Sequence, residues 1–192
     1  MRTIYIKVST VADLNSFNQI WMECWLEKGY MLDLSSTEAD QFIIRNSEKH
    51  HIGTIEFKPY YPTKENYINT VFPFHKIDHL ARNPEKVREI DKVSILKQHR
   101  GKNLERLISL FVGYSEVYKI ESCVGLFERV FFKALKNFYK IPVEAVGEPF
   151  YYKGDYVIPG VVYPNLIYTE KQRFPWLLSV NPELSKSIYV TS

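Results

Sequence analysis

The chain has 192 residues, a length that suits one domain better than two. Hydrophobic residues make up 45% and charged residues 24%, which excludes an intrinsically disordered chain, and the net charge of +3 is too small to indicate nucleic-acid binding by itself. Cys24 and Cys123 belong to no CxxC or zinc pattern and indicate reduced core residues. Because the sequence has neither a signal-peptide run nor a stretch of ~18 apolar residues, we expect a cytoplasmic protein with no membrane span.

The first part of the chain predicts a strand, a helix and a hairpin in that order. Residues 4–8 alternate apolar and polar side chains, as a half-buried strand does. Thr10 offers a helix N-cap with Asp13 in the first turn, and apolar residues then recur at helical spacing until about residue 29. Two strand-like runs within residues 41–57 flank a polar turn, which indicates a hairpin.

Residues 58–88 break this regularity. Four prolines interrupt the segment, which nevertheless carries aromatic side chains at Tyr60, Tyr61, Tyr67, Phe72 and Phe74. A long irregular segment inside a compact domain is usually functional or disordered, and the aromatic residues argue against disorder. We therefore expect the part from Pro59 to Pro84 to cover a ligand pocket, with a surface flap over a small site as the alternative.

Regular structure returns after this segment. The pattern predicts strands at 88–96, 119–125, 142–146, 151–156 and 157–163, and helices at 104–118 and 127–138. Apolar residues at 174–178 indicate a short helix packed on the body. This order predicts an α/β (α+β) fold with a mixed, mostly antiparallel central sheet flanked by helices. We expect one domain over residues 1–165, with a C-terminal tail of 166–192 packed on it.

The loop at residues 98–103 carries the most informative chemistry, because it joins a predicted strand to a predicted helix. The first amides of a helix point outward without internal partners, and the helix dipole adds partial positive charge there. Gly101 permits close backbone approach, and Lys97, Arg100 and Lys102 add charge. Such a loop suits a pyrophosphate or a phosphopantetheine phosphate. The alternative is an ordinary strand-to-helix loop with solvated charges.

Gln98, Gly101 and Asn103 resemble the acyl-CoA signature of GNAT acyltransferases, in which Gln or Arg, two residues, Gly, one residue, and Gly or Ala follow one another; Asn103 stands at the last position. A second pattern covers about residues 10 to 165. It consists of Gly53, Pro62, Phe72-Pro73, Glu89, Lys92, Gly147-Glu148-Pro149, Tyr152, Gly154 and Pro159. This pattern resembles the acyl-homoserine-lactone synthases and the related long-chain N-acyl amino acid synthases of that superfamily, a branch that usually has Arg where Lys92 stands.

This resemblance implies a GNAT-like fold and an N-acyltransferase, which moves an acyl group from acyl-CoA, acetyl-CoA or acyl carrier protein to a small-molecule amine. It implies Glu89 as the base, with Asp91 second, and Tyr139 as a general acid. The backbone of Val93 and Ile95 would pair with the pantetheine arm. The implied phosphate-binding residues are Gln98, Arg100, Gly101, Lys102 and Asn103. Glu89 has the alternative of a solvated strand-end carboxylate, and Tyr139 that of a packing residue.

Two other functions compete with this hypothesis. A catalytically silent acyl-CoA-binding or sensor module would keep the loop and lose the base. A nucleic-acid binder would use Lys97, Arg100, Lys102 and Arg106, but the sequence lacks a separate basic face with interleaved aromatics, so we expect no nucleic-acid partner. His75 and His79 are spaced like metal ligands, yet the sequence offers no third ligand, so we expect no metal.

Overall fold

The computed structural model describes residues 4–32, 38–101 and 103–180. The strands in these residues are β1 (Tyr5–Lys7), β2 (Asp40–Arg45), β3 (His51–Pro59), β4 (Val87–Ile95), β5 (Ser122–Glu128), β6 (Val143–Ala145), β7 (Phe150–Tyr152) and β8 (Asp155–Val162). They form one sheet in the order β1-β2-β3-β4-β5-β8-β6, and β7 also pairs with β8. Strands β4 and β5 run parallel, whereas the other pairs are antiparallel, so the predicted mixed, mostly antiparallel sheet is confirmed.

Six α-helices accompany the sheet in the part of the chain that the structure describes. The first begins where the sequence predicts: the Thr10 hydroxyl accepts the Asp13 amide at 3.1 Å, and the Asp13 carboxylate accepts the Thr10 amide at 3.1 Å. This reciprocal capping satisfies two amides that the helix itself cannot pair. The helices are α1 (Val11–Glu27), α2 (Tyr67–Val71), α3 (Asp78–Arg82), α4 (Leu104–Val117), α5 (Arg129–Lys133) and α6 (Asn165–Tyr168).

The two long helices cover opposite faces of the sheet. On one face, α1 packs Phe17 and Trp21 against Ile43 of β2. On the other face, α4 belongs to the largest core cluster, where the rings of Tyr114 and Phe57 stack 3.8 Å apart. Residues of α5 and α6 extend this second cluster. The face under α4 is therefore built from apolar and aromatic side chains.

The irregular segment between β3 and β4 is ordered by a separate small core. It contains α2, α3 and short 3₁₀ turns, and Tyr60, Ile68, Phe74 and Leu80 pack together with Val124 and Val161 of the sheet. The buried Asn69 amide group donates to the Tyr61 and Thr63 carbonyls at 3.0 and 2.7 Å. These contacts satisfy backbone groups that a segment with little regular structure would leave unpaired.

The described part of the C-terminal tail packs on the α4 face. The Trp176 indole donates to the Tyr139 carbonyl at 3.0 Å, and the Leu178 amide donates to the Ser109 hydroxyl at 2.9 Å. The short helix predicted at 174–178 is wrong, because this stretch forms a turn at Pro175 and then continues without helical structure. Within the described ranges, no helix is both long and apolar enough to cross a membrane.

Candidate active site

The centre of the sheet opens because β4 and β5 pair at one end only. Their ladder joins Val87–Glu89 to Ser122–Val124, and the nine-residue β4 continues beyond it without pairing to β5. A cavity of about 900 Å³ occupies this opening and is lined by Ile90 to Ile95 on one side and by Gly125 to Glu128 on the other. The two strands therefore separate beyond Glu89 and Val124.

A β-bulge interrupts β4 beside the cavity. Between the pairs Thr54–Ser94 and Glu56–Asp91, β3 contributes one residue and β4 contributes two. Lys92 takes a positive φ of 46°, its amide donates to Asp91 Oδ1 at 2.7 Å, and its carbonyl accepts the Thr54 hydroxyl at 2.7 Å. A bulge re-aims the residues on either side of it. In β4 the bulge lies at Lys92 and Val93, directly after Asp91.

Five charged side chains form a cluster on the α1 face of β3 and β4: Glu56, Lys58, Glu89, Asp91 and Lys92. Lys58 Nζ lies 2.6 Å from Asp91 Oδ2, 3.3 Å from Glu89 Oε1 and 3.5 Å from Glu56 Oε1. Lys92 Nζ lies 3.1 Å from Glu56 Oε1 and 5.1 Å from the ring centroid of Trp21 on α1. Of this cluster, Lys58, Glu89, Asp91 and Lys92 line the cavity.

The cluster shifts the pKa values of two carboxyl groups in opposite directions. Burial raises the pKa of Glu89 to about 7, against the opposing charge of Lys58 and with the help of the Asp91 charge. Burial also acts to raise the pKa of Asp91, but the charge and hydrogen bond of Lys58 lower it overall. Glu89 is therefore the carboxyl that can exchange a proton near neutral pH, while Asp91 stays ionised.

The other part of the cavity is apolar and lies toward α4 and α5. Phe131 and Ala134 belong to α5 and the helical turn that follows it, and Leu104 and Leu107 belong to α4. This part suits an apolar chain, because apolar walls favour removal of methylene groups from water. The residues that line it are Ile90, Val93, Ile95, Leu104, Leu107, Leu126, Phe127, Val130, Phe131, Ala134 and Val157.

The irregular segment lines the cavity with only some of its aromatic residues. Tyr61 and Tyr67 reach it, together with the small-core residue Ile68. Tyr60 and Phe74 instead fill the small core, with Phe72 packed against that core. The Tyr67 hydroxyl lies 2.9 Å from that of Tyr152, so this wall of the cavity is joined to β7.

The predicted phosphate loop lies at one end of the same cavity. Gly101 and Arg100 line the cavity, and Gly101 takes a φ of 85° just before α4 begins. The Arg100 guanidinium donates to the Ile95 carbonyl at 3.0 Å and forms two bonds with Glu27 at 3.1 and 2.8 Å. Asn103 binds the His99 carbonyl at 2.9 Å and thereby closes the loop. Lys102 lies outside the described residues.

The structure brings most of the sequence-predicted residues together, but not all of them. Val93 and Ile95 line the cavity beside Glu89. Gln98 is exposed, and neither it nor Asn103 is among the described residues that line the cavity. Tyr139 is buried against Trp176, its pKa is raised by burial and then by Glu105, and it too lies outside the lining. A catalytic role for Tyr139 stays a prediction.

Glu56, Lys58 and Lys92 receive no role in the site from the sequence, although Lys92 belongs to the pattern that resembles the synthase branch. A signal existed in β3, where Glu56 and Lys58 alternate with Phe57 in a strand that is otherwise buried. Charged residues on one face of a buried strand require partners. Ile90 and Val93 are three residues apart, which breaks the period of two and indicates the bulge.

Comparison of the sequence with protein-family models and with curated proteins gives no match. Solved structures share the fold. FeeM, an N-acyl amino acid synthase from uncultured soil microbes, is 15% identical over 85% of this chain and 92% of its own, with a TM-score of 0.65. The AHL synthase LasI is 13% identical over 85% and 92% of the two chains, with a TM-score of 0.60. BjaI, a CoA-dependent acyl-homoserine lactone synthase solved with SAM and isopentyl-CoA, is 12% identical over 87% and 82%, with a TM-score of 0.57.

At these identities the likeness establishes the fold. The predicted GNAT-like sheet is confirmed, and so is the predicted likeness to the branch of acyl-homoserine-lactone and N-acyl amino acid synthases. Among the described residues, no group of three His, Cys, Asp or Glu side chains is placed to hold a metal ion.

Proposed function

We propose that the chain is an N-acyltransferase that moves an acyl group from acyl-CoA or acyl carrier protein to an amine acceptor. One observation carries this proposal. A single cavity joins an apolar part, suited to an acyl chain, with a buried carboxyl whose pKa is about 7. The fold shared with FeeM and BjaI supports the same class of reaction.

In the proposed reaction the amine must lose a proton before or during attack on the thioester carbonyl. Glu89 would accept that proton directly or through water, because a base with a pKa near the working pH combines availability with driving force. The C–N bond forms, the C–S bond breaks, and the departing thiolate takes up a proton. Lys58 would position Glu89 and limit the rise of its pKa, since it lies 3.3 Å away.

The donor's phosphates would bind at the start of α4. Gly101 presents backbone to the cavity, and the first amides of α4 provide donors. Arg100 is already paired with Glu27, so a phosphate would either share the guanidinium or displace that carboxylate. We therefore assign the phosphates first to Gly101 and the backbone amides at the start of α4, and second to the Arg100 guanidinium. The pantetheine arm would lie along β4 at Val93 and Ile95, where the ladder with β5 has ended.

The apolar part of the cavity favours a long acyl chain over acetyl. Each methylene removed from water contributes about 0.8 kcal/mol. We therefore expect selectivity to rise steeply with chain length until the apolar part is full. The alternative that the irregular segment is a flap over a small acetyl site predicts no such rise.

One experiment tests the enzyme, its base and the chain length together. Thiol release is measured with acyl-CoA donors of increasing length and mixed amino acids and amines, for the parent chain and for Glu89→Gln. We expect kcat to fall about 10²–10⁴-fold in Glu89→Gln, while donor binding measured by calorimetry stays close to that of the parent. The parent's rate should rise with pH through a pKa of about 7, and this rise should be absent from the variant.

The matched control is Glu85→Gln, an exposed carboxyl just before β4 that does not line the cavity, which should leave the rate unchanged. Donor binding without turnover in either chain would favour the silent acyl-CoA-binding module instead. A flat chain-length profile, or a preference for acetyl, would remove the long-chain part of the proposal and keep the acyltransferase.

A further inference from the structure

The segment from Arg129 to Lys140 has an unusual exposed side. It forms α5 and the wider helical turn Ala134–Phe138, and its buried side packs Phe132, Leu135 and Tyr139 into the core. We call its exposed side chains the α5 surface. They are Arg129, Val130, Lys133, Lys136, Asn137, Phe138 and Lys140.

The α5 surface combines positive charge with exposed apolar side chains. The sequence from 129 to 140 contains four basic residues and no acidic residue. Val130 is 70% exposed and Phe138 is 76% exposed, so both place most of their apolar surface in water. A solvated helix face normally carries polar residues there. Basic residues beside exposed aromatic and aliphatic residues are instead typical of a helix that lies in the interface of a membrane.

The position of the α5 surface connects it with the cavity. Val130 belongs to both, and Phe131 and Ala134 line the cavity from the same helix. Val130, Ala134 and Phe138 follow one another at steps of four residues, the spacing of neighbours along a helix. An apolar ligand that leaves the cavity past Val130 would therefore meet this surface.

We propose that the α5 surface docks the protein on an anionic lipid surface, with Val130 and Phe138 entering the headgroup region and the four cations facing lipid phosphates. Charge complementarity commits the occupant to an anionic bilayer. The apolar side chains favour a bilayer over a folded acidic protein, because a fluid interface accepts two separate protrusions without a matching pocket. Such docking needs no turnover and is independent of the proposed reaction.

The test is co-sedimentation of the full chain with vesicles of phosphatidylcholine alone or of phosphatidylcholine and phosphatidylglycerol in equal parts. We expect binding to the anionic vesicles only, and its loss at about 1 M salt. Lys133→Gln plus Lys136→Gln should weaken it about twentyfold, since two charges near the surface are removed. Val130→Ser plus Phe138→Ser should weaken it about tenfold. All four positions are exposed, so the variants should unfold at the parent's temperature.

The matched controls are Lys64→Gln plus Lys76→Gln, and Val11→Ser plus Tyr151→Ser, which change exposed residues elsewhere. They should bind like the parent. Equal binding to neutral vesicles, no binding at all, or equal losses in the controls would overturn the proposal. So would a chain that ignores vesicles but binds an acyl carrier protein through the same α5 residues, because the surface would then belong to an acidic protein partner.

Discussion

Adjacent residues of β3 show how differently the two faces of this sheet are built. Phe57 points toward α4 and stacks on Tyr114, in a cluster of apolar and aromatic side chains. Glu56 and Lys58, its neighbours, point toward α1 and join the buried charged cluster. The apolar face owes its stability to burial and close packing, whereas the charged face is stable only while each charge keeps its partners.

This difference assigns different tasks to the two faces. The cavity reaches both because β4 and β5 separate at its centre. The apolar face can hold an apolar chain, because such a chain needs no polar partners. The charged face holds the Glu89 carboxyl at a pKa of about 7, well above the value of a carboxyl in water. A buried charge cluster is an expensive way to stabilise a sheet, so its presence beside a cavity favours a functional role.

The largest expected effect comes from breaking the charged face at its most buried ion pair. Lys92 and Glu56 have side-chain exposures of 1% and 0%. Lys92→Met leaves the Glu56 carboxylate with Gln41 and the more distant Lys58, and we expect the free energy of unfolding to fall by about 3–5 kcal/mol. Urea unfolding at neutral pH measures this change.

The companion variant is Lys92→Met combined with Glu56→Met, which removes both charges. It should recover much of the lost stability, since no uncompensated charge stays buried. A loss below about 1 kcal/mol in Lys92→Met alone would show that water or rearrangement satisfies Glu56, and that the two faces differ less than their contacts indicate.

How far the sequence predicts these features depends on whether their cause is local. The start of α1 follows from Thr10 and Asp13 alone, and Gly101 before an apolar helix indicates the strand-to-helix loop that we propose as the phosphate site. Strand β5 begins at Ser122 rather than at 119, because Lys119 takes a left-handed turn with a φ of 57° that its residue type does not indicate.

The charged cluster depends instead on strand register. Lys58 meets Glu89 across 31 positions, and Lys92 meets Glu56 across 36. Such partners follow from the pairing of β3 with β4 and from the bulge between them, and nothing in the sequence near either residue specifies both. The resemblance therefore implies Glu89 as the base and Asp91 as the second candidate, but it does not include Lys58, which pairs with both carboxyl groups.

The second prediction concerns the pH dependence of stability on the charged face. The Glu89 carboxyl loses its proton near pH 4.5 when unfolded and near pH 7 when folded. Between these values the folded state binds the additional proton, so stability falls as pH rises through this window, by about 3 kcal/mol at most. Asp91 has a lowered pKa and acts with the opposite sign at more acidic pH, where its stabilisation is lost as pH falls.

Unfolding free energies measured between about pH 5 and about pH 8 check this dependence. Glu89→Gln should flatten the curve across the window, while the exposed control Glu85→Gln should follow the parent. Parallel curves for the parent and Glu89→Gln would mean that Glu89 ionises at an ordinary pKa, and the base in the proposed reaction would then need reassignment.

The smallest expected effect tests whether the two faces are energetically independent. Phe57→Leu removes the stack with Tyr114 and should cost about 1–2 kcal/mol, with no dependence on pH or salt. A double-mutant cycle with Tyr114→Leu should give a coupling of about 0.5–1.5 kcal/mol, because the rings touch. A cycle with Lys92→Met should be additive within about 0.5 kcal/mol, because the Lys92 side chain lies on the other face of the sheet. Urea unfolding of the two cycles provides both values. Coupling between Phe57 and Lys92 as large as that between the rings would show that strain passes through the backbone of β3 and β4, and the charged face could then not be altered without changing the apolar part of the cavity.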